Sequence, residues 1–202
     1  MKKRFCLFAL ALALSLLALN RVMLREDSEK KYGAFYGEKQ PIDVFFLGTS
    51  HVMDAVYPTE LYDRAGITGY NLANPAETLE ATAWTLKLAL QRQKPKVVIV
   101  DVCYIGKAQR DAVYSLEHLF LDAVPLSLTK WQAVRALFPE ARRAEYIFPL
   151  AAYHTRWEEM LFGGGEQMTD SEPFMKGAEL RVGRAHPAAF TRTTEMDLTE
   201  TE

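Results

Sequence analysis

Three short strand-like stretches, at residues 44–47, 68–72 and 97–102, are separated by stretches of helical spacing, and this alternation limits the fold more than any other feature. Strand, helix, strand, helix, strand implies a parallel sheet with right-handed crossovers and helices on its faces. The run Val44-Phe45-Phe46-Leu47 is continuously apolar, the pattern of a strand covered on both sides. Val97-Val98-Ile99-Val100-Asp101-Val102 is β-branched almost throughout. Between the first two runs, Pro58 to Gly66 predicts a short helix with proline in its first turn and glycine just past its end. Between the second and third, Asn74-Pro75-Ala76-Glu77 matches a capping box, and Leu79, Ala83, Leu86 and Leu90 share a face, predicting a helix over 75–92. A doubly wound sheet usually has about four to six strands. With three, the sheet is expected to be incomplete.

Ahead of this pattern, Lys2-Lys3-Arg4 precedes an unbroken apolar run over residues 5–19. That is the composition of a signal anchor or transmembrane segment over 1–24, with the positive cluster on the cytoplasmic side and the domain outside. The run falls short of the ~20 residues that span a bilayer, but Val22 to Leu24 extend it past Arg21. No small-x-small cleavage site follows, which favours a retained anchor over a removed signal. Residues 25–41 are charged, carry Gly33 and Gly37, and end at Pro41, so they read as a linker. The folded domain is expected over 42–190 and a disordered, Thr- and Glu-rich tail over 191–202. Within the domain, helices are expected at 127–138 and 146–161, the second packing Tyr153 and Trp157 inward.

A net charge of -2 argues against a broad basic face, and no nucleic-acid partner is expected. Cys6 and Cys103 lie far apart in the pattern, and neither Cys-x-x-Cys nor His-x-x-x-His occurs. No disulfide, no metal and no cofactor is expected on that basis.

Gly48-Thr49-Ser50-His51 ends the first strand in a Gly-x-Ser turn. Ligands of open α/β sheets bind beyond the carboxyl ends of the strands, so Ser50 is a candidate nucleophile; capping the next segment is its plainer role. His51 is adjacent and is expected to line the site or bond backbone rather than act as the base for Ser50. Asn74, at the end of the second strand, is a candidate oxyanion donor or helix cap. Asp54 and Asp101 are candidate site-lining carboxylates. His118 and His154 read as packing or surface residues, and Arg142, Arg143 and Arg156 as surface charges.

Taken together, Asp43 to His51, Tyr70-Asn71-Leu72-Ala73-Asn74-Pro75-Ala76-Glu77-Thr78-Leu79, Gln93-Lys94-Pro95-Lys96 with the strand after it, Pro125-Leu126-Ser127-Leu128 and Tyr153-His154-Thr155-Arg156-Trp157 resemble an SGNH-hydrolase-like family of membrane-anchored bacterial proteins. The resemblance covers roughly residues 40–185. It implies an α/β, three-layer flavodoxin-like parallel sheet and acyl-ester hydrolysis or transfer on cell-wall or exported polysaccharide. It further implies Ser50 as nucleophile and Ser50, Ala73 and Asn74 as oxyanion donors, with Ala73 standing where a glycine is common. The implied partners are the membrane, an acylated polysaccharide and a membrane-bound O-acyltransferase. Such proteins carry Asp-x-x-His near the C-terminus, and this sequence contains none. The chain therefore reads as the N-terminal half of such a protein, inactive alone. The competing reading is a non-catalytic extracytoplasmic module that binds a glycan or a protein.

Overall fold

The computed structural model describes residues 2–109, 112–162 and 174–180. It is a mixed α/β structure, mostly helical, around a small parallel sheet. In chain order the elements are α1 (Lys2–Val22), α2 (Glu26–Ser28), a π-helical turn (Glu29–Gly33), α3 (Ala34–Gly37), β1 (Val44–Leu47), α4 (Ser50–Ala55), α5 (Pro58–Ala65), β2 (Gly69–Asn71), α6 (Leu79–Ala89) and β3 (Val97–Val100). There follow α7 (Tyr114–Leu121), α8 (Leu128–Leu137), α9 (Arg143–Ile147), α10 (Leu150–Tyr153), α11 (Trp157–Phe162) and a hairpin of β4 (Phe174–Met175) and β5 (Ala178–Glu179).

The strands order as β2-β1-β3, both pairs parallel, with Phe45 opposite Tyr70 on one side and Val98 on the other. The central strand is buried along its whole length, as its unbroken apolar run predicts. Phe45 and Leu47 join Phe35, Tyr70, Leu72, Leu88, Phe120 and Tyr146 in one core. The outer edge of β2 is covered by the hairpin: the Asn71 amide donates to the Lys176 carbonyl at 2.8 Å. A Cβ on Gly177 would lie 2.0 Å from the Asn71 carbonyl, so only glycine permits this approach. In β3 the residues are 49, 37, 49 and 40% exposed from Val97 to Val100. Four consecutive β-branched residues that keep this much surface give the sheet a bare apolar edge.

α1 is long and apolar enough to cross a membrane, and none of its residues is buried. Its end is fixed to the domain, because Asn20 accepts from the Leu150 amide at 2.8 Å. Arg156 also donates to the Met23 and Leu24 carbonyls at 3.1 and 3.2 Å. Arg156 is thus a junction residue, not an ordinary surface charge.

The linker expected over 25–41 is instead part of the folded body. Ser28, Lys31, Tyr32 and Phe35 are buried, and the π-helical turn puts Lys31 and Tyr32 on the inner face. Lys31 Nζ donates to the Ala73 carbonyl, Tyr32 Oη to the Leu72 carbonyl at 2.6 Å, and Tyr70 Oη to the Lys31 carbonyl at 2.6 Å. The charges that suggest a linker hide a buried stripe.

α5 matches its expected bounds, and Gly66 ends it in the left-handed conformation. α8 does so as well, with Ser127 accepting from the Lys130 amide. α6 begins at Leu79, not Pro75. Its cap is Thr78, whose hydroxyl accepts from the Ala81 amide at 3.2 Å, while Ala76 at φ 53° keeps the preceding turn out of the helix. Asn74 is therefore no cap. The helix expected over 146–161 is broken into α9, α10 and α11; Tyr153 is half-buried and donates to Asp122 at 2.6 Å, whereas Trp157 is exposed. The expected tail at 191–202 lies outside the described residues.

Candidate functional site at the carboxyl edge of the sheet

β1 ends at Gly48, whose φ of +140° is a conformation that side chains disfavour. The reason is close packing as well as the turn: a Cβ there would sit 2.5 Å from Cβ of Asp101. Gly48 thus lets β1 and β3 converge at their carboxyl ends and turns the chain so that Ser50 opens α4. Thr49, in extended conformation just before the helix, is buried and donates its hydroxyl to Asp101 Oδ2 at 3.0 Å.

Asp101 is fixed from two directions, since its Oδ1 accepts the Cys103 amide at 2.9 Å. That backbone bond, with the Thr49 hydroxyl and the nearby His51, holds its carboxyl below the usual range against some desolvation. His51 is exposed on the first turn of α4, with Nδ1 3.6 Å from Cys103 Sγ. The Thr49 hydroxyl lies 3.9 Å from the same sulfur. His51, Asp101 and Cys103 each offer a ligating atom, and these atoms lie within 4.8 Å of one another.

The structure therefore gathers Ser50, His51 and Asp101 at one rim, as the sequence suggests. It adds Cys103 and Thr49, which sequence reasoning missed. The available signal for Cys103 is its spacing: it follows Asp101 by two residues at a strand end, where alternate side chains share a side. Among the described residues no hydrogen bond joins Ser50 to a histidine or a carboxylate.

The remaining candidates are turned inward. The Ala73 amide already donates to Asn71 Oδ1 at 3.1 Å. Asn74 is buried, and its Nδ2 donates to Tyr32 Oη at 2.8 Å and to the Leu72 carbonyl at 3.2 Å. Two of the three expected oxyanion donors, Ala73 and Asn74, are thus committed to internal bonds in this arrangement. Asp54 is half-buried on α4, one turn after Ser50, and its charge acts on the buried Lys31.

Beneath them lies a buried polar layer. Desolvation raises the Glu77 carboxyl to about 8, against the Thr85 hydroxyl that donates to its Oε1 at 2.6 Å. Desolvation lowers the Lys31 ammonium to about 7, opposed by the charge of Glu77. His118 is likewise structural: it is buried, bonds Asp122 at 2.8 Å and stacks on Tyr146 at 4.1 Å. His154 is exposed.

Comparison with protein-family models, curated proteins and solved structures gives no match. The functional reading therefore rests on the site.

Proposed function

We propose that this chain is the nucleophile-bearing part of an SGNH-hydrolase-like, three-layer flavodoxin-type domain, held outside a membrane by α1. Its chemistry is acyl-ester hydrolysis or transfer on cell-wall or exported polysaccharide. The observation that carries the reading is the delivery of Ser50 by Gly48 to the carboxyl edge of the central strand of a parallel sheet. In open sheets of this kind, that edge is where substrates bind.

In such a reaction the Ser50 hydroxyl attacks the ester carbonyl, a base takes its proton, and backbone amides hold the oxyanion. An unassisted serine hydroxyl is a weak nucleophile at neutral pH, and the described residues provide Ser50 with no bonded base. The chain alone is accordingly inactive or close to it. It requires an Asp-x-x-His element to complete the site.

A second reading, a non-catalytic glycan- or protein-binding module, draws support from the internal engagement of Ala73 and Asn74. A p-nitrophenyl acetate assay separates the two when the purified chain is mixed with a co-expressed segment carrying Asp-x-x-His, encoded in any phase downstream. The enzyme reading expects background turnover from the chain alone and a rate in the mixture that Ser50→Ala abolishes. A mixture that stays at the Ser50→Ala level leaves the binding module as the function.

A further inference from the structure

The cluster at the rim contains a thiol, an imidazole and a carboxylate, and this set has a chemistry of its own. We propose that Cys103 Sγ, His51 Nδ1 and an Asp101 oxygen form a three-ligand binding site for a thiophilic divalent transition-metal ion, Zn²⁺ in the first place, with a fourth position open to solvent.

The distances suit a tetrahedral ion. With Zn–N and Zn–S bonds of about 2.0 and 2.3 Å, the tetrahedral edge between the two ligand atoms is roughly 3.5 Å. His51 Nδ1 and Cys103 Sγ stand 3.6 Å apart. The third ligand atom completes a set in which no separation exceeds 4.8 Å, so a closing movement of about an ångström shared between the ligands, or a rotamer change at the exposed Cys103, brings all three to one centre.

The supports around the ligands point the same way. Asp101 Oδ1 accepts the Cys103 amide and Oδ2 accepts the Thr49 hydroxyl. These bonds fix the orientation of the carboxylate, which retains acceptor capacity for a metal, as outer-shell partners do in metal sites. The ligands are also anchored on different elements, His51 on α4 and Asp101 and Cys103 at the end of β3, whose mutual position Gly48 locks. Sulfur and nitrogen donors favour zinc over the hard ions magnesium and calcium.

Binding forms the Zn–S bond as the Cys103 thiol gives its proton to solvent, with no change of oxidation state. The site stands independently of Ser50 chemistry, because it uses neither the serine hydroxyl nor an ester.

The test is Co²⁺ titration of the full chain in detergent micelles, on a Cys6→Ser background that leaves Cys103 as the sole thiol. One equivalent of Co²⁺ is expected to give a thiolate-to-metal charge-transfer band and the intense visible bands of tetrahedral cobalt, all displaced by Zn²⁺ but not by Mg²⁺. Cys103→Ser abolishes the charge-transfer band. His51→Ala, on an exposed helix face, weakens binding by about tenfold or more, and circular dichroism confirms that each variant is folded. A folded Cys6→Ser protein that gives no band, or a band that survives Cys103→Ser, overturns the proposal. Undiminished affinity in His51→Ala overturns the three-ligand geometry. The esterase assay is a separate measurement, so the two readings fail separately.

Discussion

Gly48 packs its α-carbon face directly against Asp101: a methyl group in its place would lie 2.5 Å from the Asp101 Cβ and 3.3 Å from its Cα and amide nitrogen. This contact joins the ends of β1 and β3 and thereby sets the distance between α4 and the Asp101–Cys103 segment. Gly48→Ala meets both this clash and a φ of +140°. The expected loss is of the order of 2–4 kcal/mol of unfolding stability, measured by urea titration in micelles. The same variant should also lose Co²⁺ binding, because the strand ends are forced apart. Gly66→Ala is the control, since its methyl would meet nothing within 4 Å and only the left-handed φ is penalised, by about 1 kcal/mol.

Glu77 predicts a pH dependence. Its folded value is raised to about 8 by burial, while an unfolded glutamate titrates near 4.3. Between these values the folded state binds the extra proton, so stability is fully present below the unfolded value and is lost as pH rises toward the folded one. Lys31, lowered to about 7, pulls in the opposite direction above that pH, and Glu117, raised to about 7 by burial, adds to the effect below it. The window to examine is therefore about pH 5 to 7, over which the native chain should lose on the order of 2–3 kcal/mol per group. Glu77→Gln keeps an acceptor for the Thr85 hydroxyl and removes its share of the slope. An unchanged slope in Glu77→Gln would show that the carboxyl is ionised throughout, paired with Lys31.

Two apolar strands with similar sequences should respond in opposite ways. Phe45 in β1 is fully buried, and Phe45→Ala should cost about 3–5 kcal/mol. Ile99 in β3 is half exposed on a sheet edge, and Ile99→Lys should cost under about 1 kcal/mol. An uncovered apolar edge also templates association. Ile99→Lys is accordingly expected to reduce concentration-dependent light scattering, and a large loss of stability there would mean that β3 is covered in solution.

These contrasts mark where the sequence is readable. Residues 44–47, 58–65 and 128–137 can be placed from pattern alone because apolar continuity, first-turn proline and a capping serine are local signals. The burial of 28–35 is not readable in the same way: Lys31 carries a charge in the sequence but is wholly buried, with the carbonyl of Ala73 as its acceptor forty-two positions away. Asn74 misleads for a similar reason, since Tyr32 claims its amide and Thr78 does the capping. At the rim, Ser50, His51 and Asp101 were legible from strand ends. Cys103 is signalled only by its two-residue spacing from Asp101, because no Cys-x-x-Cys or His-x-x-x-His spacing can announce ligands drawn from two separate elements.

The junction between α1 and the domain yields a last prediction. Arg156 donates to the carbonyls that end the helical run, Met23 and Leu24, and Asn20 accepts from Leu150 at the start of α10. Trp157 follows Arg156 and is 45% exposed, with Leu161 and Phe162 exposed on the same short helix. With α1 in a bilayer, this pairing holds α11 beside the lipid surface, where an indole is favoured. In vesicles containing lipids brominated near the headgroup, Trp157 fluorescence should be quenched, in a chain whose other tryptophans, Trp84 and Trp131, are replaced by phenylalanine. Arg156→Ala removes both carbonyl contacts, leaving the Asn20–Leu150 bond to hold the helix end, and should reduce that quenching as the loosened junction samples orientations away from the surface. Quenching that is absent in the native sequence would place α11 away from the bilayer and make the contacts to Met23 and Leu24 purely a stop for the helix.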